Sequence, residues 1–502
     1  MEIMHSLGWL LAISTLAVLG NIILQLLPRR KSEPPRVIHW IPLVGNAIQY
    51  GTNPIKFFAE CRAKYGDIFT FTLFGKKITC FLSVDGNDFV LNGKHADLNA
   101  EDIYKPLTKP VFGSDVVYDC SNAKFMQQKK FIKFGLTRQA FESYVPMIEE
   151  EVLGYLETEP SLQGVAGTMD VPKSMGGITI LTAARTLQGE EVRSKLSAGF
   201  AELYHDLDLG FRPVNLLMPW APLPENRKRD AAHAKMREVY STIVDERRHS
   251  EKECDSDMIW NLMNCVYKDG STIPNHEIAH LMITLLMAGQ HTSSSASSWV
   301  ILHLASRPEV TEELFQEQVQ MLGHGKPNLP PLQYTDLEKL PLLQQVIKET
   351  LRVHSSIHSV MRKATRPIQV PGTDYVVPPG RILLASPQAT ARDEQYFTNA
   401  DEWQPSRWSS DLAGSIFDAE ETSSISRGAK SAYLPFGAGR HRCIGEQFAY
   451  LNLGAIIATL VREFRFYSLK ESGDVPKTDY ASMFSRPVQP ALIRWQRRTK
   501  RS

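Results

Sequence analysis

The chain has 502 residues, of which 43% are hydrophobic and 22% charged, and its formal net charge is +1. This near-neutral charge argues against nucleic acid as the main partner, because nucleic-acid binding needs a basic surface. The six cysteines, at positions 61, 80, 120, 254, 265 and 443, follow no Cys-x-x-Cys spacing, which favours reduced thiols over a disulfide framework.

The N-terminal segment 6–27 has no charged side chain and is rich in Leu, Ile, Ala and Val. A helix of this length reaches ~33 Å, enough for the ~30 Å hydrocarbon layer of a membrane. The basic cluster 29–31 follows the segment, so the positive-inside rule places the rest of the chain in the cytosol. We therefore predict a signal anchor within residues 1–31 and a stiff, proline-rich neck at 32–45, with a buried core helix as the alternative for 6–27.

Residues 46–502 contain no internal repeat and no long linker, which predicts one large domain. Alternating apolar residues predict strands over 67–82 and 368–384, and helical periodicity dominates from 122 to 318. Polar stretches predict surface loops at 250–257, 323–331 and 409–431. The fold class expected is mainly α with small β-sheets.

A long helix is predicted over 275–305, and it opens with His276-Glu277-Ile278-Ala279-His280. This matches the H-E-x-x-H pattern, in which two histidines share zinc and the glutamate activates water, so a zinc peptidase has to be considered. The extended pattern requires a further histidine where this chain has Leu286. A polar, solvated helix end is the simpler interpretation.

The same helix continues with Ala288-Gly289-Gln290-His291-Thr292-Ser293. Glycine inside a helix costs about 1 kcal/mol, so it needs a reason. Room for a flat ligand and close helix–helix packing are the two candidate reasons. His291 beside Thr292 puts a titratable group next to a hydroxyl, a combination suited to delivering protons.

Two further segments carry a charge pattern. Glu349 and Arg352 are three residues apart, on one face of a predicted helix. Arg407 follows in Trp403-x-Pro405-x-Arg407-Trp408. The helical pair alone is weak evidence, because such pairs are common on protein surfaces.

Cys443 lies in the glycine-rich, basic stretch Phe436-Gly-Ala-Gly-Arg-His-Arg-Cys-Ile-Gly-Glu446, just before an apolar helical run at 447–460. Glycines allow close approach of a flat ligand, and flanking arginines with a helix start favour the thiolate. A metal-ligating cysteine is the preferred interpretation. An exposed nucleophile and a buried structural cysteine are the alternatives.

This stretch resembles the haem-binding loop of the cytochromes P450, in which the cysteine thiolate is the axial iron ligand. His441 replaces the commoner arginine, and His291 replaces the usual acid; both are typical of the sterol 14α-demethylase branch. The segments 203–220, 258–264 and 354–362 also resemble fungal members of that branch. The resemblance extends from the anchor to the C-terminus.

The resemblance implies a cytochrome P450 fold with a single haem-enclosing domain, and it assigns roles to individual residues. Cys443 is expected to bind haem iron and His291, Thr292 and Asp208 to handle protons. Glu349, Arg352 and Arg407 are expected to support the haem loop. The residues expected to hold haem b are Tyr104, Tyr118, Lys129, Arg362, Phe436, Gly437, His441, Cys443 and Gly445.

A sterol is a rigid apolar body with one hydroxyl, so it needs a long hydrophobic cavity. By resemblance that cavity is lined by Leu107, Phe112, Val117, Phe211, Ala288, Ile357, His358, Ser359, Val360, Met361, Met483 and Phe484, together with Tyr104 and Tyr118. Ser121, Leu209 and Arg212 are unusual for the family. The last two flank Phe211, which bears on substrate preference more than on chemistry.

The implied activity is removal of the 14α-methyl group of lanosterol or eburicol in ergosterol biosynthesis, with O₂ and electrons from NADPH. The implied partners are a membrane-bound NADPH–cytochrome P450 reductase and azole inhibitors, and the implied place is the endoplasmic reticulum membrane. The reductase would dock on a basic patch of Lys129, Lys130, Lys133, Arg440 and Arg442. Alternatives are a paralogue hydroxylating another steroid or triterpenoid, and a sterol-binding haem protein without turnover.

Overall fold

The structure, a computed structural model, describes residues 2–28, 30–195, 198–212, 214–215, 218–249, 257–409, 416 and 430–498. These residues form two compact units, one of Met1–Ile103, Ile357–Ala400 and Arg427–Arg442, the other of Tyr104–Ser356, Asp401–Ser426 and Cys443–Ser502. We call them the β-rich unit and the helical unit.

The α-helices dominate the chain, as expected. In chain order they are α1 Glu2–Leu26, α2 Ala47–Thr52, α3 Pro54–Tyr65, α4 Val84–Leu91, α5 Glu101–Phe112, α6 Asn122–Ile132, α7 Arg138–Thr158, α8 Val171–Leu187, α9 Glu190–Lys195, α10 Ala198–Asp208, α11 Pro224–His249, α12 Met258–Met263, α13 Asn275–Ser306, α14 Pro308–Met321, α15 Tyr334–Leu337, α16 Pro341–Val353, α17 Pro387–Ala391 and α18 Glu446–Glu463.

The strands are short and build four small sheets. They are β1 Ile68–Leu73, β2 Lys76–Phe81, β3 Leu98–Asn99, β4 Ala166–Asp170, β5 Val360–Ala364, β6 Ile368–Gln369, β7 Val376–Val377, β8 Ile382–Ala385, β9 Phe464–Ser468, β10 Thr478–Asp479, β11 Arg486–Pro487 and β12 Leu492–Arg497. The hairpin predicted over 67–82 is confirmed as β1 and β2, and the long helix predicted over 275–305 is confirmed as α13. The prediction missed β5, because only pairing with distant strands makes that segment extended.

The β-rich unit is organised by a five-stranded sheet in the order β1-β2-β8-β5-β3. β2 and β8 run parallel, with Ile78 opposite Ile382, and the other pairs are antiparallel. The buried core on this sheet includes Phe81 and Leu383 and also takes in Leu434 and Ala438. The stretch that leads to Cys443 is therefore held by the core of the β-rich unit.

The helical unit is built around α13, whose apolar residues are buried nearly all round. α8, α11 and α18 pack against it. A three-stranded sheet in the order β4-β12-β9 closes the unit near the C-terminus. A helix that is buried on most sides leaves few positions open, so an exposed residue in its middle is informative.

The N-terminal helix α1 covers the segment predicted as an anchor. Asn21 and Gln25 of α1 donate hydrogen bonds of 3.0 and 2.9 Å to the carbonyl of His39, which ties the helix to the neck. The neck itself bridges to β1 at Arg36 and Gly45. No helix among the described residues is long and apolar enough to cross a membrane, so the anchor stays a prediction.

Gly439 is needed where the basic loop passes α4. Its φ is +67°, and a Cβ there would lie 2.5 Å from the carbonyl oxygen of Leu91 and from the side-chain oxygen of Asn92. Gly437 has a φ of +70°, but a Cβ there would meet nothing within 4 Å. Both glycines therefore relieve backbone strain, whereas Gly439 alone of the two also avoids a collision.

We expect Gly439→Ala to lower the free energy of unfolding more than Gly437→Ala does. Gly437→Ala is the matched control and should lower the free energy of unfolding by about 1–2 kcal/mol, because alanine is strained at a positive φ. Gly439→Ala carries the same strain and adds the clash with Leu91. Chemical denaturation of both variants measures the difference. Equal losses would show that the contact with α4 is not constrained.

Candidate active site

The middle of α13 has one open side. Ala288 is exposed although Leu286 and Met287 just before it are buried. Gly289, by contrast, faces α8: a Cβ there would lie 3.4 Å from Leu187. Close helix packing therefore explains the glycine, and Ala288 marks the surface available to a flat ligand.

Thr292 lies one turn beyond Ala288 on this helix. Its hydroxyl donates a 2.7 Å hydrogen bond to the carbonyl of Ala288. Threonines often make this bond to the preceding turn, and it fixes the hydroxyl beside the open surface. The backbone carbonyl of Thr292 also accepts a 3.3 Å hydrogen bond from Ser356, which leads into the following segment.

His291 and Asp208 lie next to each other in the structure. Asp208 ends α10 and brings its Oδ1 to 3.7 Å from Nε2 of His291, beyond hydrogen-bonding distance. Neither atom has a hydrogen-bond partner among the described residues, and both side chains are largely buried. Two polar atoms aimed at each other across a short gap can exchange a proton after a small movement.

A third charged group, which the sequence did not reveal, completes this pair. Arg486 of β11 donates a 3.2 Å hydrogen bond to Oδ2 of Asp208. Burial lowers the pKa of His291, Asp208 opposes that effect, and Arg486 and His205 add to it. These effects together favour the neutral form of the His291 imidazole beside the Asp208 side chain.

An apolar wall of aromatic rings continues from His291. Phe484 stacks on the imidazole with ring centres 5.7 Å apart, Phe211 meets Phe484 at 5.2 Å, and Phe112 meets Phe211 at 5.7 Å. Leu107 is also buried in this unit, and Met483 is half-buried. The structure thus brings the rings of Phe112, Phe211 and Phe484 together, and their role in a substrate cavity stays a prediction.

Tyr104 and Tyr118 also lie together, stacked with ring centres 5.0 Å apart. Lys129 places its ammonium 5.7 Å from the ring centre of Phe125, which is itself 6.0 Å from Tyr118. Val117 has a φ of +52°, a conformation that is strained for a β-branched residue. This positive φ turns the chain sharply beside Tyr118.

Cys443 differs from the other described cysteines. It is exposed just before α18, where an added Cβ on Gly445 would lie 3.9 Å from its Sγ. Burial raises the pKa of Cys61 and of Cys120 to about 12 and also raises the pKa of Cys265. Cys443 thus presents an accessible sulfur between Arg442 and Ile444, three residues before α18, as an iron-binding thiolate would require.

The β-rich unit carries further residues that the resemblance assigns to haem or substrate. Arg362 is buried and donates a 2.8 Å hydrogen bond to the carbonyl of Met361. His358 accepts or donates a 2.7 Å bond with Ser359, and burial lowers its pKa to about 4. The partly exposed members are Ile357, Ser359, Val360, Met361, Phe436, Gly437 and His441.

Glu349 is fully buried, and its two oxygens accept hydrogen bonds from every side. Arg352 donates two at 2.8 Å, Arg407 one at 3.1 Å and Trp408 one at 2.9 Å. The backbone N–H of Gln404 adds another at 2.9 Å. Burial raises the pKa of Glu349, but these bonds and the arginine charges outweigh it and hold the pKa below its usual value.

Glu349, Arg352 and Arg407 therefore lie in one hydrogen-bonded cluster, and their support of a haem loop stays a prediction. α16, which carries Glu349, packs against α18, the helix that starts just after Cys443. The network supports this part of the structure without touching an open surface. The sequence pattern missed Trp408 and Gln404 as donors, although both lie in the segment it singled out.

The H-E-x-x-H segment has a structural role. Glu277 is buried and accepts hydrogen bonds from Lys124 at 2.6 Å and from Tyr267 at 2.7 Å, and His280 bonds the carbonyl of Ser114 at 2.9 Å. The expectation of a solvated helix end is wrong for these two residues, because neighbouring segments of the helical unit cover them. Within the described ranges, no group of three side chains could hold a metal ion.

The chain matches known proteins over nearly its whole length. Residues 35–495 match the family model described as Cytochrome P450. The chain is 60% identical to the sterol 14-alpha demethylase CYP51A of Gibberella zeae and 57% identical to that of Aspergillus fumigatus. In both cases the match covers 98% of this chain and 98% of the relative. It is 56% identical to the eburicol 14-alpha-demethylase of Penicillium italicum, over 96% of this chain and 95% of the relative.

A solved structure shows the same architecture. The retinoic acid-bound cyanobacterial CYP120A1 superposes with a TM-score of 0.78 over 94% of this chain and 100% of that chain, at 20% sequence identity. At that identity the likeness concerns the fold. It confirms a mainly helical architecture with small sheets.

We expect Glu349→Gln to destabilise the protein by about 3–5 kcal/mol, because it removes one partner of a buried ion network. The pKa of Glu349 is lowered on folding, so its contribution is present above its unfolded pKa near 4.5 and is lost as pH falls through the folded value. The difference in unfolding free energy between wild type and variant should shrink below pH 4.5. Denaturant titrations at pH 7 and pH 4 measure it; a difference independent of pH would contradict this role.

Proposed function

We propose, on the premise that the chain belongs to the cytochrome P450 family and to its sterol 14-alpha demethylase branch, that it oxidatively removes the 14α-methyl group of lanosterol or eburicol. The observation that carries the proposal is the His291–Asp208 pair. It lies on the open side of α13, next to Thr292 and continuous with an aromatic wall. Three successive oxygenations would convert the methyl group to an alcohol, an aldehyde and finally formate.

The residues of this chain fit a thiolate-ligated haem. Cys443 would be the iron ligand, Ala288 would leave room for the flat group, and Tyr104, Tyr118 and Lys129 would hold its propionates. Arg362, His441, Phe436, Gly437 and Gly445 complete the set by resemblance. When bound, the haem supplies activation of O₂ and transfer of its oxygen to the substrate.

The chain's own part in this chemistry is the supply of protons and the exclusion of water. Each oxygenation consumes two protons, and His291 has a titratable nitrogen facing Asp208 at the end of an otherwise apolar wall. His291 would accept a proton on Nε2 from the Asp208 side, and the Thr292 hydroxyl would pass protons onward along α13. The rings of Phe112, Phe211 and Phe484 would hold the sterol body and keep bulk water out.

Electrons from NADPH would arrive from a membrane-bound reductase. Lys130, Lys133 and Arg440 are exposed, and Lys129 and Arg442 are partly exposed, so each of these basic side chains is accessible to an acidic partner. The apolar segment 6–27 and the basic cluster 29–31 support attachment to the endoplasmic reticulum membrane. Azole inhibitors would bind the haem iron.

The rival reading, a paralogue acting on another steroid, rested on Leu209 and Arg212 beside Phe211. Arg212 is exposed and pairs with Glu225 at 3.0 Å, whereas Phe211 is buried and Leu209 is partly buried. The ion pair of Arg212 gives no structural reason for a different substrate class.

Reconstitution tests the proposed reaction. With reductase, NADPH and lanosterol or its 24-methylene relative eburicol, the holoenzyme should release formate and the 14-demethylated diene, each measured by mass spectrometry. Omission of NADPH is the control. A protein with a normal reduced carbon monoxide spectrum that released neither product would overturn the proposal.

Cys443→Ser tests the ligand. Serine keeps the size of the side chain but cannot supply a thiolate, so the variant should lose the red-shifted Soret band of the reduced carbon monoxide complex. Cys265→Ser, which changes a cysteine remote from α18, is the matched control and should keep it. A persistent band in Cys443→Ser would exclude Cys443 as the ligand.

A further inference from the structure

Arg486 connects the buried His291–Asp208 pair to solvent. The three residues come from three elements, α10, α13 and β11. The side chain of Arg486 is 35% exposed, whereas that of Asp208 is 10% and that of His291 is 14% exposed. The guanidinium therefore covers the outer end of a charged group whose inner end faces the predicted substrate wall.

Asp208 is shared unequally between its two neighbours. Its Oδ2 accepts a 3.2 Å hydrogen bond from Arg486, and its Oδ1 stops 3.7 Å from His291, short of a bond. A charge-assisted bond to a guanidinium is stronger than a contact with a neutral imidazole, so Arg486 holds the carboxylate in place. The carboxylate would have to leave Arg486, wholly or in part, to close the gap to His291.

The other groups facing His291 favour the same arrangement. His205, one turn before Asp208 on α10, and Arg486 both lower the proton affinity of His291, and Phe484 covers the ring face. Asp208 is the group that opposes them. With Arg486 engaged, the imidazole therefore stays neutral and shielded.

We propose that Arg486 is a positioning residue that controls the entry of protons to His291. While Arg486 binds Asp208, the carboxylate stays 3.7 Å from His291 and the pair is shielded from solvent. When Arg486 swings outward, Asp208 moves into contact with His291 and the pair admits a proton from water. In each opening one proton passes from solvent to Nε2 of His291, no electrons are transferred and no covalent bond other than N–H and O–H changes. This inference rests on the proposed function, in which His291 delivers protons to the reaction.

The experiment compares Arg486→Gln, Arg486→Lys and Arg494→Gln in the holoenzyme. Arg494 lies on β12, is exposed and has no ion pair within the described part of the chain, so its variant removes the same charge from another strand of the C-terminal segment. The first readout is the rate at which diethyl pyrocarbonate modifies His291 from pH 5 to 8.5, measured by peptide mass spectrometry. His276, half-exposed at the start of the same helix, is the internal reference.

Arg486→Gln should increase the limiting rate of His291 modification several-fold, because the shield over the pair is gone. The midpoint of the pH dependence should rise, since loss of a nearby positive charge makes the imidazole easier to protonate. Arg486→Lys, which keeps the charge but offers a single ammonium, should fall between. Arg494→Gln should match wild type.

The second readout is formate released per NADPH consumed, across the same pH range. In Arg486→Gln, where Arg486 no longer controls proton entry, the ratio of formate to NADPH should fall several-fold. The pH profile of that ratio should shift in the same direction as the midpoint of the modification rate. If both readouts in Arg486→Gln equal those in Arg494→Gln, the gating role is wrong. If Arg486→Gln does not fold, the same comparison between Arg486→Lys and Arg494→Gln decides.

The two proposals fail separately. The modification rate needs no turnover, so it reports on Arg486 even in an enzyme that releases no formate from any sterol. Missing formate in wild type would overturn the demethylase activity. An unchanged His291 reactivity in a wild type that does release formate would overturn only the gate.

Discussion

The interaction on which the helical unit most depends is the set of hydrogen bonds that protein donors give to the buried Glu349 carboxylate. A buried carboxylate without partners would cost several kcal/mol, and here two arginines, an indole N–H and a backbone N–H satisfy it. That demand fixes the segment 402–408 against α16. Because α16 packs on α18, the position of the helix start beside Cys443 follows from the same network.

α13 has a packing function and an exposed surface, and different residues of the helix provide the two. Gly289 lets α8 approach closely, which is a packing function, whereas Ala288 and Thr292 leave one side open. The first turn is used differently again, because the carboxylate of Glu277 joins Lys124 and Tyr267 in a buried network. One long helix thus supplies structural anchoring at its start and reactive groups at its middle.

Much of the site could be predicted from sequence because its signals are local. The glycines at 437 and 439 precede Cys443 within a few residues, and His291 and Thr292 are neighbours on one helix. The hairpin β1–β2 follows from alternation around a Gly75 turn. Local patterns of this kind need no knowledge of distant partners.

What the sequence by itself determined was the identity of the reactive groups, the helical class of the fold and, through family resemblance, the pairing of His291 with Asp208. Only the tertiary structure decided the partners that approach from remote segments. Arg486 lies 278 residues from Asp208, β5 becomes a strand only beside β8 and β3, and Glu277 finds Lys124 across 153 residues. No local pattern encodes such meetings, because they arise when buried charges must find partners wherever the packed chain brings them.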